Sequence, residues 1–214
     1  MERKIILFDL DGTLTDSGEG IFSCAETVLR HFHLPIPSRE NLRFMIGPPL
    51  VESFPQLGVH TDALTEAIEV YREQYSREGI YQNFPYPGIE TLLARLKEQG
   101  HILCVATSKP EYMALTVLEH FHLAQYFDLI CGAASDGLRN TKEQVIEYLL
   151  EQIQPDGPIV MVGDTVFDVR GAAWFSIPTI GVKWGYGITE DMLREGAIAI
   201  ADDTDHLFEL LQQS

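Results

Sequence analysis

The sequence predicts an α/β protein, a parallel Rossmann-like sheet flanked by helices, with a small all-helical insert placed after the first strand. Three observations carry this. Short apolar runs alternate with helix-patterned segments along most of the chain. The runs are nearly continuous in apolar residues, as in strands covered on both faces. The stretch from about Asp16 to Phe84 breaks the alternation, with helix-like segments and no convincing strand.

The first strand is Ile5–Leu10. The insert holds helix-like segments at Glu19–His33, Glu40–Met45 and Asp62–Arg77, punctuated by Pro35, Pro37, Gly47, Pro48, Pro49, Pro55 and Gly58. It closes at Asn83-Phe84-Pro85-Tyr86-Pro87-Gly88, a hinge-like run. These limits divide the chain into a core of residues 1–15 and 85–214 and an insert of residues 16–84. Alternation then runs through helix Gly88–Gln99, strand His101–Ala106, helix Glu111–His120, strand Phe127–Gly132 and helix Lys142–Gln152. It continues with strand Ile159–Val162, helix Phe167–Phe175, strand Thr179–Val182, helix Glu190–Glu195, strand Ala197–Ala201 and helix Asp205–Gln212. Ligands in open α/β sheets bind beyond the carboxyl ends of the strands, so the insert would sit over the pocket as a lid.

The octets Thr27–Leu34 (TVLRHFHL) and Thr116–Leu123 (TVLEHFHL) match at seven positions with nothing similar around them. They read as two helix ends, where histidine suits the negative end of the dipole. A His-x-His metal site is the less favoured alternative, because neither pair has acidic or cysteine partners nearby in sequence.

With 214 residues, 45% of them hydrophobic and 22% charged, the composition suits a soluble globular protein of one large domain or a domain with an insert. No apolar run is long enough to span a bilayer, and Met-Glu-Arg-Lys leads straight into the first strand without a cleavage-site pattern, so neither a membrane nor a secretory route is expected. The net charge of −17 argues against nucleic acid as a partner, since backbone phosphates need a clustered positive surface. A small phosphorylated substrate is still compatible, given a few well-placed cations. Cys24, Cys104 and Cys131 have no CxxC spacing and fall in apolar segments, which reads as buried free thiols in a reducing cytoplasm. The sequence leaves the oligomeric state at monomer or homodimer.

Chemistry-bearing residues recur where strands end. Asp9 and Asp11 follow the first apolar run two residues apart, and strand alternation would point them the same way. Two carboxylates at a buried strand tip repel, so a divalent metal held through oxygen ligands is the simplest partner. The plainer alternative has one acid capping the next helix and the other in a turn. The strand His101–Ala106 runs into Thr107-Ser108-Lys109-Pro110-Glu111, where Ser108 and Glu111 have capping-box spacing and Thr107 could offer its hydroxyl to a phosphate. After the third strand, in Ser135-Asp136-Gly137-Leu138-Arg139-Asn140-Thr141-Lys142-Glu143-Gln144, Thr141 and Gln144 have the same spacing and put Lys142 in a first helical turn. There it is either solvated or turned inward to balance the carboxylates. The fourth strand ends in Gly163-Asp164 with Asp168 a turn later, which suits a shared metal, one acid bound directly and one through water; Asp164 as an N-cap is the alternative.

Taken together and in this order, Asp-x-Asp-Gly-Thr, Thr-Ser, Lys and Gly-Asp-x-x-x-Asp resemble the four signatures of the haloacid dehalogenase superfamily, within its phosphatase branch that includes phosphoglycolate phosphatases. The resemblance covers essentially the whole chain. The insert resembles the family's small helical cap, Ile46-Gly47-Pro48-Pro49-Leu50 its substrate-facing loop, and Gly181-Val182-Lys183-Trp184-Gly185-Tyr186-Gly187 is similar to that branch as well. The resemblance implies a phosphomonoesterase that forms an aspartyl-phosphate on Asp9. Asp11 would be the general acid and then the base. Mg²⁺ would be held by the Asp9 carboxylate, the Asp11 backbone carbonyl and the Asp164 carboxylate, with Asp168 behind it or acting through water. Thr107, the Ser108 amide and Lys109 would hold the phosphate, and Lys142 would neutralise Asp9 and the phosphoryl group. The chain departs from the family's frequent Lys-Pro at the third signature, with Thr141-Lys142-Glu143, and this leaves Lys109 as a rival for that role. A sugar-phosphate mutase and a nucleoside 5′-monophosphate phosphatase are alternatives within the superfamily. A non-catalytic phospho-aspartate receiver is a third, argued against by Asp-x-Asp on one strand. Which of Arg43, Phe44, Ser53 and Tyr75 face the substrate is not legible.

Overall fold

The computed structural model describes residues 3–134, 138–153 and 155–213. Ser135, Asp136 and Gly137, which open the run before Lys142, lie outside the described residues.

Six strands make one parallel sheet: β1 (Ile5–Phe8), β4 (Ile102–Pro110), β5 (Leu129–Ala133), β6 (Ile159–Gly163), β7 (Thr179–Val182) and β8 (Ala199–Ala201), in the order β5-β4-β1-β6-β7-β8. β1 is central, with Ile5 level with Ile102 on one side and Ile159 on the other. The chain leaves β1 for β4 and later returns to β6 on its opposite side, and such a reversal opens a crevice at the carboxyl ends. The apolar β1 sequence feeds two layers. Ile6 and Phe8 pack with α4 (Ile89–Glu98), α5 (Glu111–His120) and α9 (Thr204–Gln213), through Leu92, Val117 and Leu211 among others. Ile5 and Leu7 pack with Val145, Ile146 and Leu149 of α6 (Lys142–Ile153) and Ala172 of α7 (Val166–Ala173). That is why the run is apolar at every position. A short helix, α8 (Thr189–Arg194), joins β7 to β8.

Between β2 (Thr15–Asp16) and β3 (Phe84–Pro85) the chain is helical: α1 (Gly18–His31), α2 (Leu50–Gln56) and α3 (Leu64–Arg77), with 3₁₀ turns at Arg39–Met45, Thr61–Ala63 and Gly79–Tyr81. α1 buries Ile21, Cys24, Ala25 and Val28 against Ala67, Tyr71 and Tyr75 of α3. All three cysteines are buried free thiols, and burial pushes each up to about 12.

Three local differences from the sequence reading have physical causes. Residues 15–16 and 84–85 form a two-residue antiparallel pair, Thr15 with Pro85 and Asp16 with Phe84, too short for any period-2 pattern to register. α2 forms despite Pro49 before it and Pro55 within it, because Phe54 is wholly buried, edge-on to Tyr71 at 5.9 Å. β4 continues to Pro110, so the Ser108–Glu111 capping box does not form. The Glu111 carboxylate instead accepts from the Gly132 N–H at 3.2 Å and from Arg139 at 2.8 Å.

The octets are helix ends, as expected. His33 (φ 55°) and His122 (φ 57°) adopt left-handed backbone, and the N–H of each following leucine reaches back five residues, Leu34 to Leu29 and Leu123 to Leu118. This is a Schellman closure with histidine in the place usually held by glycine. No helix of the described residues is long and apolar enough to cross a membrane.

Candidate active site

Asp9 extends the β1 ladder by one bond, its N–H donating to the Val162 carbonyl at 2.9 Å. Asp164 follows β6 directly, and Asp168 lies in the first turn of α7. One oxygen from each of Asp9, Asp164 and Asp168 lies within 4.8 Å of the other two, and all three residues are buried. Lys142, the first residue of α6, points inward: its Nζ is 2.8 Å from Asp9 Oδ1 and 2.8 Å from Asp168 Oδ1, and donates to the Ala106 carbonyl at 2.9 Å. The lysine on the nucleophile candidate is thus Lys142, and Lys109 is elsewhere. Gly171 makes room for it, since a Cβ there would press on the Lys142 stem.

Three buried carboxylates face one ammonium, and the imbalance shows in their proton affinities. Burial, partly offset by Lys142, pushes the Asp9 carboxyl up to about 6, with Asp168 and Asp11 adding to the rise. Burial, with Asp168 and Asp9, holds Asp164 well above the usual carboxylate range. Burial works against the charge of Lys142, but Asp168 and Asp9 outweigh it and keep the ammonium above the ordinary lysine range. An all-oxygen, net-negative buried cluster fits a hard divalent cation, which would remove the surplus charge.

The other bonds fix these acids in place. Asp164 accepts from Thr13 Oγ1 at 3.2 Å and from the Tyr186 N–H at 2.8 Å. Asp168 accepts from the N–H and the hydroxyl of Thr165, at 3.0 and 2.9 Å. Thr165, not Asp164, is the N-cap of α7, and Asp168 closes the box. One oxygen of Asp168 therefore holds the helix and the other meets Lys142. Gly12, at φ 85°, turns the chain where a Cβ would land on the Asp164 carboxylate; Cβ atoms on Gly185 and Gly187 would strike Asp164 as well.

Asp11 departs from simple alternation. β1 ends at Phe8, and residues 10–15 form a tight turn in which the N–H groups of Leu14 and Thr15 both reach the Leu10 carbonyl. The Asp11 side chain is not part of the three-acid cluster; it pairs with Lys109 Nζ at 2.9 Å. Thr107 is buried within β4, its Oγ1 accepting from the Lys109 N–H at 3.2 Å, which leaves the hydroxyl proton to donate. Of the second possible capping box, Gln144 Oε1 accepts from the Asn140 and Thr141 N–H groups at 2.8 and 3.2 Å.

A cleft of about 720 Å³ opens above this edge. Asp9, Asp11, Thr107, Ser108 and Lys109 line its floor; Met45, Gly47, Pro48, Pro49, Tyr71 and Tyr75 form the wall supplied by the helical insert. Of the four insert residues left open, Tyr75 faces the cleft. Arg43 reaches instead to the Gly185 carbonyl at 3.4 Å, 5.2 Å from the Tyr186 ring, while Ser53 is buried and Phe44 is partly exposed. Sequence reasoning assigned no role to Thr13, Thr165 or the Gly185-Tyr186-Gly187 turn; the Gly-x-Gly spacing was the available signal.

The sequence pattern of the haloacid dehalogenase-like hydrolases matches residues 6–182. The chain is 41% identical to "Tyrosine-protein kinase PtkA" of Mycobacterium tuberculosis, over 97% of this chain and 72% of that protein. It is 40% identical to a 5′-nucleotidase of Pseudomonas aeruginosa (88% and 86% covered) and 31% identical to a phosphoglycolate phosphatase of Aquifex aeolicus (86% and 86%). The crystal structure of a predicted phosphatase from Clostridium acetobutylicum superposes with a TM-score of 0.94 over the full length of both chains, at 39% identity. With signature acids, sheet order and matched sequence pattern in agreement, the chain belongs to the haloacid dehalogenase-like hydrolase family.

Proposed function

We propose that this chain is a Mg²⁺-dependent phosphomonoester hydrolase acting on a small phosphorylated metabolite, phosphoglycolate-like in its simplest form, through an aspartyl-phosphate intermediate. The observation that carries the reading is the buried meeting of Asp9, Asp164 and Asp168 with Lys142 under an open cleft. Residues 85–214 with 1–15 are the catalytic core in this reading, and residues 16–84 the cap that closes over it.

Asp9, Asp164 and the Asp11 backbone carbonyl would hold Mg²⁺, with Asp168 behind them; the ion supplies charge neutralisation between the attacking carboxylate and the phosphate dianion. The Asp9 carboxylate attacks phosphorus and the ester P–O bond breaks. Asp11 gives its proton to the departing oxygen. Water then attacks phosphorus, Asp11 takes its proton, and the Asp9–phosphate bond breaks to release inorganic phosphate. Thr107 and the Ser108 N–H hold the phosphoryl oxygens, Lys109 lines the same floor, and Lys142 offsets charge on Asp9.

A second reading is supported by the wall of the cleft. About 720 Å³ with an apolar, aromatic side is more than a two-carbon acid needs, and a nucleoside 5′-monophosphate fits that space; one relative is named a 5′-nucleotidase. The test is a panel of phosphoglycolate, nucleoside monophosphates and sugar phosphates, scored by phosphate release with Mg²⁺ and with the Asp9→Asn protein as blank. Release from at least one ester class is expected. Isomerised sugar phosphate without free phosphate would make the chain a mutase, and a single stoichiometric phosphorylation without turnover a receiver. ATP-dependent phosphorylation of tyrosine, the activity named for one relative, would replace the hydrolase reading.

A further inference from the structure

Lys142 serves Asp9; Lys109 is occupied differently. A lysine ammonium has three donors, and here all three are taken. Two go to the Asp11 carboxylate, at 3.0 Å to Oδ1 and 2.9 Å to Oδ2, and the third to the Tyr75 hydroxyl at 2.6 Å. The side chain is 5% exposed. Among the described residues nothing else bonds the Asp11 carboxylate.

Tyr75 belongs to α3 of the insert. Its ring lies under the Lys109 ammonium at 4.5 Å and stacks on Tyr71 at 5.7 Å with 8° between planes; Tyr71 in turn meets Phe54 of α2. One buried ammonium thus joins an acid of the sheet edge to the aromatic packing of the insert. A group that delivers a proton must be held within hydrogen-bond reach of the leaving oxygen. Asp11, in a turn past the strand end, has no backbone donor to aim it, and Lys109 is the one group placed to do so.

We propose that Lys109 is the positioning residue for Asp11, anchored by Tyr75, so that seating of the insert sets the aim of the acid. The inference rests on the acid–base role of Asp11 proposed above. Lys109 can keep one carboxyl oxygen while the other carries the proton, and no atom of Lys109 bonds the substrate.

The leaving group separates this role from a structural one. p-Nitrophenolate departs without a proton, whereas an alkoxide needs one. In Lys109→Met, kcat/KM, which reads the leaving-group step alone, should fall about 10- to 100-fold on phosphoglycolate, or on the alkyl ester that the wild type turns over fastest. On p-nitrophenyl phosphate kcat/KM should fall by no more than about threefold, whereas kcat falls on any ester for which dephosphorylation, with Asp11 as its base, limits turnover. Tyr75→Phe, which keeps the ring and its stacking, should move the same ratio in the same direction by a smaller factor. In an Asp11→Asn background, Lys109→Met should add no further selectivity between the esters. Equal losses of kcat/KM on both esters, or a raised KM with kcat kept, would overturn the positioning role; the second result would make Lys109 a phosphate ligand. If Asp11→Asn itself treats both esters alike, the acid–base assignment fails and the role of Lys109 falls with it, whereas selectivity in Asp11→Asn without selectivity in Lys109→Met refutes Lys109 alone.

Discussion

The two walls of the cleft are built on opposite principles. At the sheet edge charged groups answer one another: Asp9 and Asp168 share Lys142, Asp164 takes two donors, and Asp11 takes Lys109. None of these side chains is more than 14% exposed. The insert contributes Met45, Pro48, Pro49, Leu50, Ile68 and Tyr71, mostly apolar, and three exposed charged residues, Glu52, Glu69 and Arg72, that make no ion pair among the described residues. A network of buried charges tolerates little change, because removing one member strands the rest. An apolar wall can exchange one side chain for another at small cost. The reaction is accordingly expected to reside in the sheet edge and the choice of substrate in the insert.

The largest test of that division is Asp9→Asn. Phosphate release should drop by more than about 10³-fold while circular dichroism and melting temperature stay near wild type; retained turnover would remove Asp9 as nucleophile. Next comes the charge balance. Lys142→Met leaves three buried acids with no counter-charge and should cost about 3–5 kcal/mol in urea unfolding. Mg²⁺ should restore more of that loss than it adds to the wild type, and an unchanged midpoint would show that Lys142 is dispensable to the fold.

The metal itself can be read without turnover. Saturating Mg²⁺ should raise the melting temperature of the wild type, about 2.7 kcal/mol of added stability at a hundredfold excess over Kd, and leave Asp164→Asn nearly unmoved. The Asp9 carboxyl, raised to about 6 from 3.8, binds its proton more tightly folded than unfolded. Its stabilising protonation is therefore complete below about 3.8 and lost as pH rises through about 6. Proton and metal would compete for the same oxygens, so the Mg²⁺ affinity should strengthen from pH 5 to pH 7. A flat profile would take Asp9 out of the ligand set. The smallest effect belongs to the insert: Pro48→Ala with Pro49→Ala should change the ratio of kcat/KM between metabolite esters severalfold while p-nitrophenyl phosphate hydrolysis stays within about twofold. Parallel losses on all esters would break the division of labour between the walls.

Much of the sheet edge was legible because strand tips are. Asp9, Thr107 and Asp164 follow continuous apolar runs, so periodicity alone puts them at one end of a parallel sheet, and the four signatures together point to one family. What lay beyond reach has specific reasons. Alternation placed Asp11 beside Asp9, but the strand stops at Phe8 and the turn through Gly12 sends Asp11 toward Lys109. Capping-box spacing recurs at Ser108, Thr141 and Thr165, and only the three-dimensional course of the chain shows that the first is still strand and the third caps α7. Tyr75 carries no local mark at all; its meeting with Lys109 is a contact across 34 residues that only packing of α3 on the core creates.

The backbone turn at residues 185–187 has one more implication. Its two glycines lie against Asp164 where any side chain would collide, and the Tyr186 N–H between them is a ligand to that acid. In a random mutagenesis screen, inactive clones should therefore accumulate at Gly185 and Gly187, positions with no functional group to lose. A Gly187→Ala protein would look intact by charge and composition, yet its damage would be steric, transmitted straight into the acid that it was meant to cradle.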